Sequence, residues 1–171
     1  MKFIRAAIVL FLLLSTDLFA GIKDPVVVKG VFDLRNVTDE DFIYRLRGRW
    51  EFYWNKMLSP SDFSGPAKLK PDYFGLVPSY WTDYPSDSVP ARPMGFATYR
   101  TIVILPHGFR KSMGFDMPVF DSSYEIFVNG KRMAGNGTPG RSADETIPAY
   151  ERNFFRFIPE SDTIDIVINV A

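Results

Sequence analysis

The chain has 171 residues, with 20 basic and 20 acidic side chains and a formal net charge of zero, which is enough for one domain with a real core. The balanced charge, with no basic stripe, sets nucleic acid aside as a partner. Cysteine is absent, which excludes a disulfide framework, a thiolate metal site and a thiol nucleophile, so the hydrophobic core must hold the domain together.

The first twenty residues read as an address. Lys2 and Arg5 precede the apolar run Ala6–Leu14, and a more polar stretch ends at Ala20. This is the layout of a secretory signal peptide, and the run is shorter than the roughly 20 residues a membrane span needs. We expect residues 1–20 to be a signal peptide cleaved after Ala20, with an uncleaved anchor as the alternative. The remainder, 21–171, is then a domain exported to the periplasm or the outer face of a bacterial envelope.

Val26–Leu34 is β-branched and predicts a first strand. Asn36 or Thr38 caps a short helical turn with Asp39, Glu40 and Asp41 at its positive end. Phe42, Tyr44 and Leu46 then alternate with Ile43, Arg45 and Arg47, which predicts a strand leading into Gly48. In Gly48–Trp54 the residues Trp50, Phe52 and Trp54 share one face of an extended chain. Residues 59–75 carry Pro60, Gly65, Pro66, Pro71 and Gly75 and predict a loop. Val77–Trp81 is a short edge-type segment, because Pro78 cannot donate to a ladder. Residues 82–95 form a second long loop, of a length usually found where loops are functional or disordered.

Phe96–Leu105 is the clearest strand and stops at Pro106. Met113–Met117 is a shorter one, stopped by Pro118. Tyr124–Val128, Asn129-Gly130 and Lys131–Ala134 predict a hairpin, since a type I′ turn needs positive φ at both central residues. Residues 135–140 read as an irregular loop, and 141–153 as polar with one helical turn. Phe154–Ile158 is a strand stopped by Pro159. In the last strand Ile164, Ile166, Ile168 and Val170 put one apolar face inward. Ending on a strand at Ala171 suggests an N-terminal piece of a longer protein, or a truncated reading frame, with the final C-terminal portion of the domain lacking. Short strands, loops rich in Pro and Gly and no long helix predict an all-β jelly-roll sandwich.

Candidate chemistry is sparse. His107 is the sole histidine and lies in the turn Pro106-His107-Gly108, so no zinc site is expected. Asp33, Asp39, Asp41 and Asp121 offer oxygens for calcium but without ligand spacing. No nucleophile elbow occurs. Glu51, Asp116, Glu125 and Glu151 can be nominated as glycosidase acids, but nothing in the sequence pairs them. We therefore expect no enzyme activity. No cofactor is expected either, since the glycine-rich stretch 135–140 lacks the Lys-Ser/Thr ending of a phosphate loop. It is either a mobile connection or a ligand rim offering amides and Asn136. Trp50, Phe52 and Trp54 fit a core. Tyr80 and Trp81, beside a long loop, are the better candidates for a platform on which a sugar stacks. Arg100, next to Tyr99 in the strong strand, either pairs with a carboxylate or faces a ligand.

The order Gly48-x-Trp50-x-Phe52, Ala97-Thr98-Tyr99-Arg100 with Leu105-Pro106, and Tyr124-x-x-Phe127-Val128-Asn129-Gly130-Lys131 resembles the galactose-binding-like jelly rolls. These include the N-terminal domains of β-glucuronidases and β-galactosidases. The longer pattern, Gly30-Val31-x-Asp33-Leu34-Arg35, Trp50-Glu51-Phe52-Tyr53-Trp54 through Leu58, Pro60, Asp62 and Phe63, and Asn136-Gly137, resembles the extracellular jelly roll of bacterial seven-transmembrane receptors with diverse intracellular signalling modules. The resemblance implies a sensor domain whose partners are a carbohydrate or other small ligand and the rest of a membrane receptor. An accessory domain of a secreted glycoside hydrolase and a purely structural envelope sandwich are the alternatives. Tyr99, Arg100, Asn129 and Asn136 lie on positions of these motifs. With Tyr80 and Trp81, the residues Tyr99, Arg100 and Asn136 make up the candidate ligand-binding set.

Overall fold

A computed structural model of the chain describes residues 24–37, 43–66, 68–85, 87, 92–119 and 122–171. The signal-peptide segment, most of the expected turn around residues 38–41, and the carboxylates of Asp39, Asp41 and Asp121 lie outside them. The described residues form nine strands: β1 (Val31–Asp33), β2 (Gly48–Trp54), β3 (Tyr73–Val77), β4 (Ala97–Ile104), β5 (Met113–Met117), β6 (Tyr124–Val128), β7 (Lys131–Asn136), β8 (Asn153–Phe157) and β9 (Thr163–Val170). None of their helices is long and apolar enough to cross a membrane.

The chain is an all-β, jelly-roll-type sandwich with an uneven division of strands. One sheet holds seven, in the order β3-β2-β4-β9-β6-β7 with β1 parallel to β4, and the other holds β5 and β8. β9 pairs with β4 along its whole length, from Ala97 opposite Val170 to Ile104 opposite Thr163. The other side of β4 is shared. β2 takes residues 97–100 and β1 takes 102–104. Side chains alternate between faces along each strand. The registers therefore place Phe52, Tyr99, Ile168 and Ile126 on one face of the sheet, and Glu51, Arg100, Val167 and Phe127 on the other.

The first of these faces meets the small sheet. Phe32, Trp50, Val103, Ile126, Ile164 and Ile166 from the large sheet pack with Met117 and Phe155 from the small one. Each such side chain contributes about 1.5–3 kcal/mol when removed from water. Phe115 and Phe155 stack at 5.3 Å inside this layer.

The Asn129-Gly130 hairpin forms as the dipeptide predicts, with φ of 48° and 83°. A second turn of the same kind corrects the expected strand 26–34. Lys29 and Gly30 have φ of 47° and 79°, and Val28 and Val31 exchange backbone hydrogen bonds of 2.8 and 3.0 Å across them. Lys-Gly thus divides one β-branched run into two short arms. Of the predicted strand 42–47, Phe42 lies outside the described residues, and 43–47 keep their alternation but make no ladder. Tyr44 and Leu46 pack against the core while Ile43 is 97% exposed. The expected loop 59–75 closes earlier than read, because β3 starts at Tyr73 and pairs with β2. The edge segment read as 77–81 instead follows β3, which ends at Val77; Trp81–Asp83 is a 3-10 turn. β7 runs on through Gly135 and Asn136, which shortens the expected loop 135–140. β3 is a sheet edge, and its carbonyls at Phe74 and Leu76 are taken by Arg49 Nη1 (3.4 Å) and the Tyr84 hydroxyl (3.0 Å). Side-chain donors of this kind blunt an edge against pairing with another chain.

Candidate ligand-binding site

The five candidate residues fall in three places. Trp81 and Tyr99 belong to an aromatic cluster at the β3 end of the large sheet, and Tyr80 precedes Trp81 in sequence. β2 supplies Phe52 and Trp54 from its inward positions, β4 supplies Ala97 and Tyr99, and the segment after β3 supplies Trp81 and Tyr84. Phe52 lies 4.8 Å from Tyr99 and 5.1 Å from Tyr84, ring centre to ring centre. Tyr84 gives its proton to Leu76 O, so the Tyr99 hydroxyl, 3.4 Å away, is the donor between the two phenols. Burial, and then the neighbouring Tyr84, push the Tyr99 phenol above its usual range. Tyr99 is therefore a neutral core residue that joins two hydrophobic clusters.

Trp81 sits at the rim of this cluster. Its ring meets Trp54 edge-on at 5.3 Å, and its Nε1 donates to Arg92 O at 2.9 Å. These two contacts fix the indole plane while leaving part of the ring in solvent. Tyr80, one residue earlier, is 74% exposed. Trp54 Nε1 is buried without a hydrogen-bond partner, a state that costs about 1–3 kcal/mol for a neutral donor.

Arg100 lies on the opposite face of the sheet. Its Nε and Nη2 each donate to Asp165 at 2.9 Å and its Nη1 to Glu51 Oε2 at 3.2 Å. The Phe63 ring covers the guanidinium at 4.5 Å. Burial lowers the pKa of this arginine, but its bonds to Asp165 and Glu51 outweigh burial and raise it above normal. Tyr53 donates to the same Glu51 oxygen at 2.9 Å, and burial followed by the Glu51 charge pushes that phenol up. Of the two roles open to Arg100, the geometry gives the carboxylate pair.

The cover over this face is the segment after β2. Leu58 N donates to Thr98 Oγ1 at 2.9 Å, and Asn169 Nδ2 donates to Leu58 O at 3.1 Å. Thr98 Oγ1 also stands 2.8 Å from Lys56 O and 2.6 Å from Asn169 Oδ1. Sequence reasoning missed this strap and missed Asp165. The available signal was polar residues, Thr98, Arg100, Asp165 and Asn169, sharing the second phase of two otherwise apolar strands.

Asn136 is fully buried. Its amide donates to Ser122 O (3.1 Å) and Ala149 O (2.7 Å) and accepts from Glu151 N (3.1 Å). Every polar atom of the side chain is committed to backbone, so Asn136 is a clamp on the connection after β7 and not a rim contact. Among the nominated carboxylates, Glu51 is held by Arg100, Asp116 by Arg152 at 2.9 Å and Glu125 by Arg132 at 2.8 Å. Asp33, nominated for calcium, is gripped by Arg35, whose hydrogen bonds draw it down to about 2. His107 is fully exposed and its Nδ1 lies 2.8 Å from Asp162.

No family model matches the chain, and no curated protein matches it. Solved structures do. One is a β-glucuronidase from Ruminococcus gnavus in complex with D-glucuronic acid, 14% identical, with a TM-score of 0.52, covering 73% of this chain and 21% of that one. Another is the Bifidobacterium dentium β-glucuronidase complexed with coumarin-3-O-glucuronide, also 14% identical, with a TM-score of 0.50, covering 73% of this chain and 19% of that one. The fold is of the galactose-binding-like β-sandwich kind. At this identity the likeness speaks for the fold alone, and the chain spans about a fifth of the length of the proteins it matches. Within a galactose-binding-like sandwich, the placement of Tyr80 and Trp81 beside a loop at one end differs in kind from that of Arg100 and Asn136, whose polar atoms are already occupied.

Proposed function

We propose that the chain is an exported, non-catalytic ligand-binding module that grips a carbohydrate or similar small molecule at the Tyr80–Trp81 rim and works as one part of a longer protein. The supporting observation is the rim itself. An indole braced by Trp54 and by Arg92 O stands beside an exposed phenol, and flat rings with a polar handle suit sugar faces. The pairing of Glu51, Asp116 and Glu125 with arginines supports a binding role over hydrolysis, because glycosidase acids must face a cleft and a sugar.

The preferred context is the sensor domain of a bacterial membrane receptor, on the order and spacing of the Trp50–Phe63 motif. The accessory domain of a glycoside hydrolase is the second reading, which the glucuronidase neighbours favour by fold. A thermal-shift screen against neutral and acidic sugars tests the common claim. A ligand at a hundred times its dissociation constant stabilises by about 2.7 kcal/mol, or roughly 5–10 °C for a domain of this size. Tyr80→Ala should abolish the shift and leave the unliganded melt nearly unchanged, while Trp81→Ala should abolish it and also lower the unliganded melt, because its ring packs on Trp54. No shift with any sugar, or a shift indifferent to both substitutions, overturns the proposal.

A further inference from the structure

The molecule has a second exposed feature, beside the aromatic rim but lined by other residues. Three segments lie side by side where β2 begins. Val27 N donates to Arg47 O and Arg49 N donates to Val27 O, both at 2.8 Å, while Gly48 pairs with Val77 of β3. Between them is an open groove of about 530 Å³, lined by Val26–Val28, Arg47–Arg49 and Leu76–Pro78. Three of its apolar side chains are exposed, Val26 at 44%, Val28 at 61% and Leu76 at 50%, while Val27 is buried in the core. Its polar side chains are cationic. Arg45, Arg47 and Arg49 recur every second residue along one exposed phase of the extended chain, about 6–7 Å apart. Lys29 stands exposed at the adjoining turn. Among the described residues one acid offsets this row: Asp24, which lies 3.6 Å from Arg47.

We propose that this face docks on an anionic phospholipid surface. Branched aliphatic side chains ringed by arginines match the boundary between headgroups and acyl chains. There the apolar groups enter by a few ångströms and each basic residue near an anionic leaflet adds attraction. A polyanionic glycan would meet the same arginines, but sugars stack on aromatic rings, and the lining residues include none. The surface is independent of the Tyr80–Trp81 reading, since neither residue lines it.

Because the chain lacks cysteine, one label can be placed cleanly. Val28→Cys carries an environment-sensitive fluorophore, and Lys131→Cys carries the same fluorophore as a control. Lys131 lies on β7 at the other edge of the sheet, five strand spacings or about 24 Å from β3. The full chain is mixed with vesicles of phosphatidylcholine alone or with 30 mol % phosphatidylglycerol. Arginine substitutions on this face separate its docking from insertion of the apolar run Ala6–Leu14, which they leave unchanged. The label at residue 28 should shift to the blue on anionic vesicles only, and the control should not. Removing two charges by Arg45→Gln with Arg47→Gln should weaken partitioning about 25-fold, at roughly 5-fold per charge. Arg49 is retained because it caps Phe74 O. Raising salt on the unaltered protein gives a second measurement free of folding effects, and should release the label by screening. An unresponsive label at residue 28, an equal response on neutral vesicles, a response that survives both charge removal and salt, or a stronger response to an acidic polysaccharide than to vesicles would each overturn the proposal.

Discussion

Replacing Arg100 by Met tests whether the outer face of the large sheet is held by a charge network or only by packing. In the native chain the arginine side chain is 19% exposed and sits between Glu51 and Asp165, themselves 20% and 31% exposed. Methionine keeps the contact with Phe63 but leaves two half-buried carboxylates facing each other. Removing one partner of a fully buried pair costs about 3–5 kcal/mol. Partial exposure of the two acids here reduces the expectation to about 2–3 kcal/mol. With a urea slope near 2 kcal/mol/M, that lowers the midpoint by about 1–1.5 M at unchanged slope. Tryptophan fluorescence and far-ultraviolet circular dichroism should report the same transition. A triple variant decides the cause. Adding Glu51→Gln, which still accepts the Tyr53 hydroxyl, and Asp165→Leu removes both stranded charges and should recover most of the loss, as apolar replacement of whole buried networks often does. A midpoint within 0.3 M of the parent for Arg100→Met (about 0.6 kcal/mol at that slope), or a triple variant no better than the single one, would refute the reasoning.

Four further substitutions have expected outcomes. Asn136→Ala leaves Ser122 O, Ala149 O and Glu151 N without their shared partner. It should cost about 3 kcal/mol, seen as a melting temperature lowered by roughly 6–12 °C. Trp54→Phe removes a buried donor that has no acceptor, so lost packing and relieved desolvation should nearly cancel, within about 1 kcal/mol. Trp50→Phe breaks a 3.1 Å bond to Leu46 O and should cost clearly more in the same urea titration. Asp162 is drawn down to about 2, first by its hydrogen bond to Arg110 and then by His107. A carboxylate depressed in the folded state stabilises it above the ordinary carboxylate range and ceases to do so as pH falls through the folded value. Asp162→Asn should therefore lower the urea midpoint at pH 7, and its curve should converge with the parent's between about pH 4 and pH 2.

What the sequence disclosed depended on range. β4, β5, β6 and β9, and the Asn129-Gly130 turn, are written in neighbouring residues: β-branched alternation, a proline stop, a dipeptide that tolerates positive φ. The division of 26–34 is legible in principle, since Lys29-Gly30 offers a Gly at the same turn position, but three consecutive valines, 26–28, outweigh a lone glycine in any local reading. β3 was misplaced because Pro71, Gly75 and Pro78 surround it, and only its pairing with β2 makes Tyr73–Val77 a strand. The site divided along the same line. Exposure of Tyr80 follows from a polar, proline-rich neighbourhood. The fates of Arg100 and Asn136 depend on Asp165, 65 residues away in sequence, and on Ala149 and Ser122. No local pattern encodes those contacts.

The strap over residues 98 and 169 limits where this domain can meet anything else. A sandwich usually leaves the outer face of each sheet to solvent. Here the centre of that face is closed by residues 56–63, and the inner face is closed by the small sheet. The two candidates both lie at the β3 margin of the large sheet. The groove ends at Pro78 and the rim begins at Tyr80. Three residue steps from Pro78 to Trp81 span at most about 10 Å, so a ligand that reorders Tyr80 and Trp81 acts on the same short segment that walls the groove. Sugar binding and membrane docking, if both occur, must then be measured together: a label at Val28 on anionic vesicles should change its response when the rim ligand is added, and should cease to do so in Trp81→Ala.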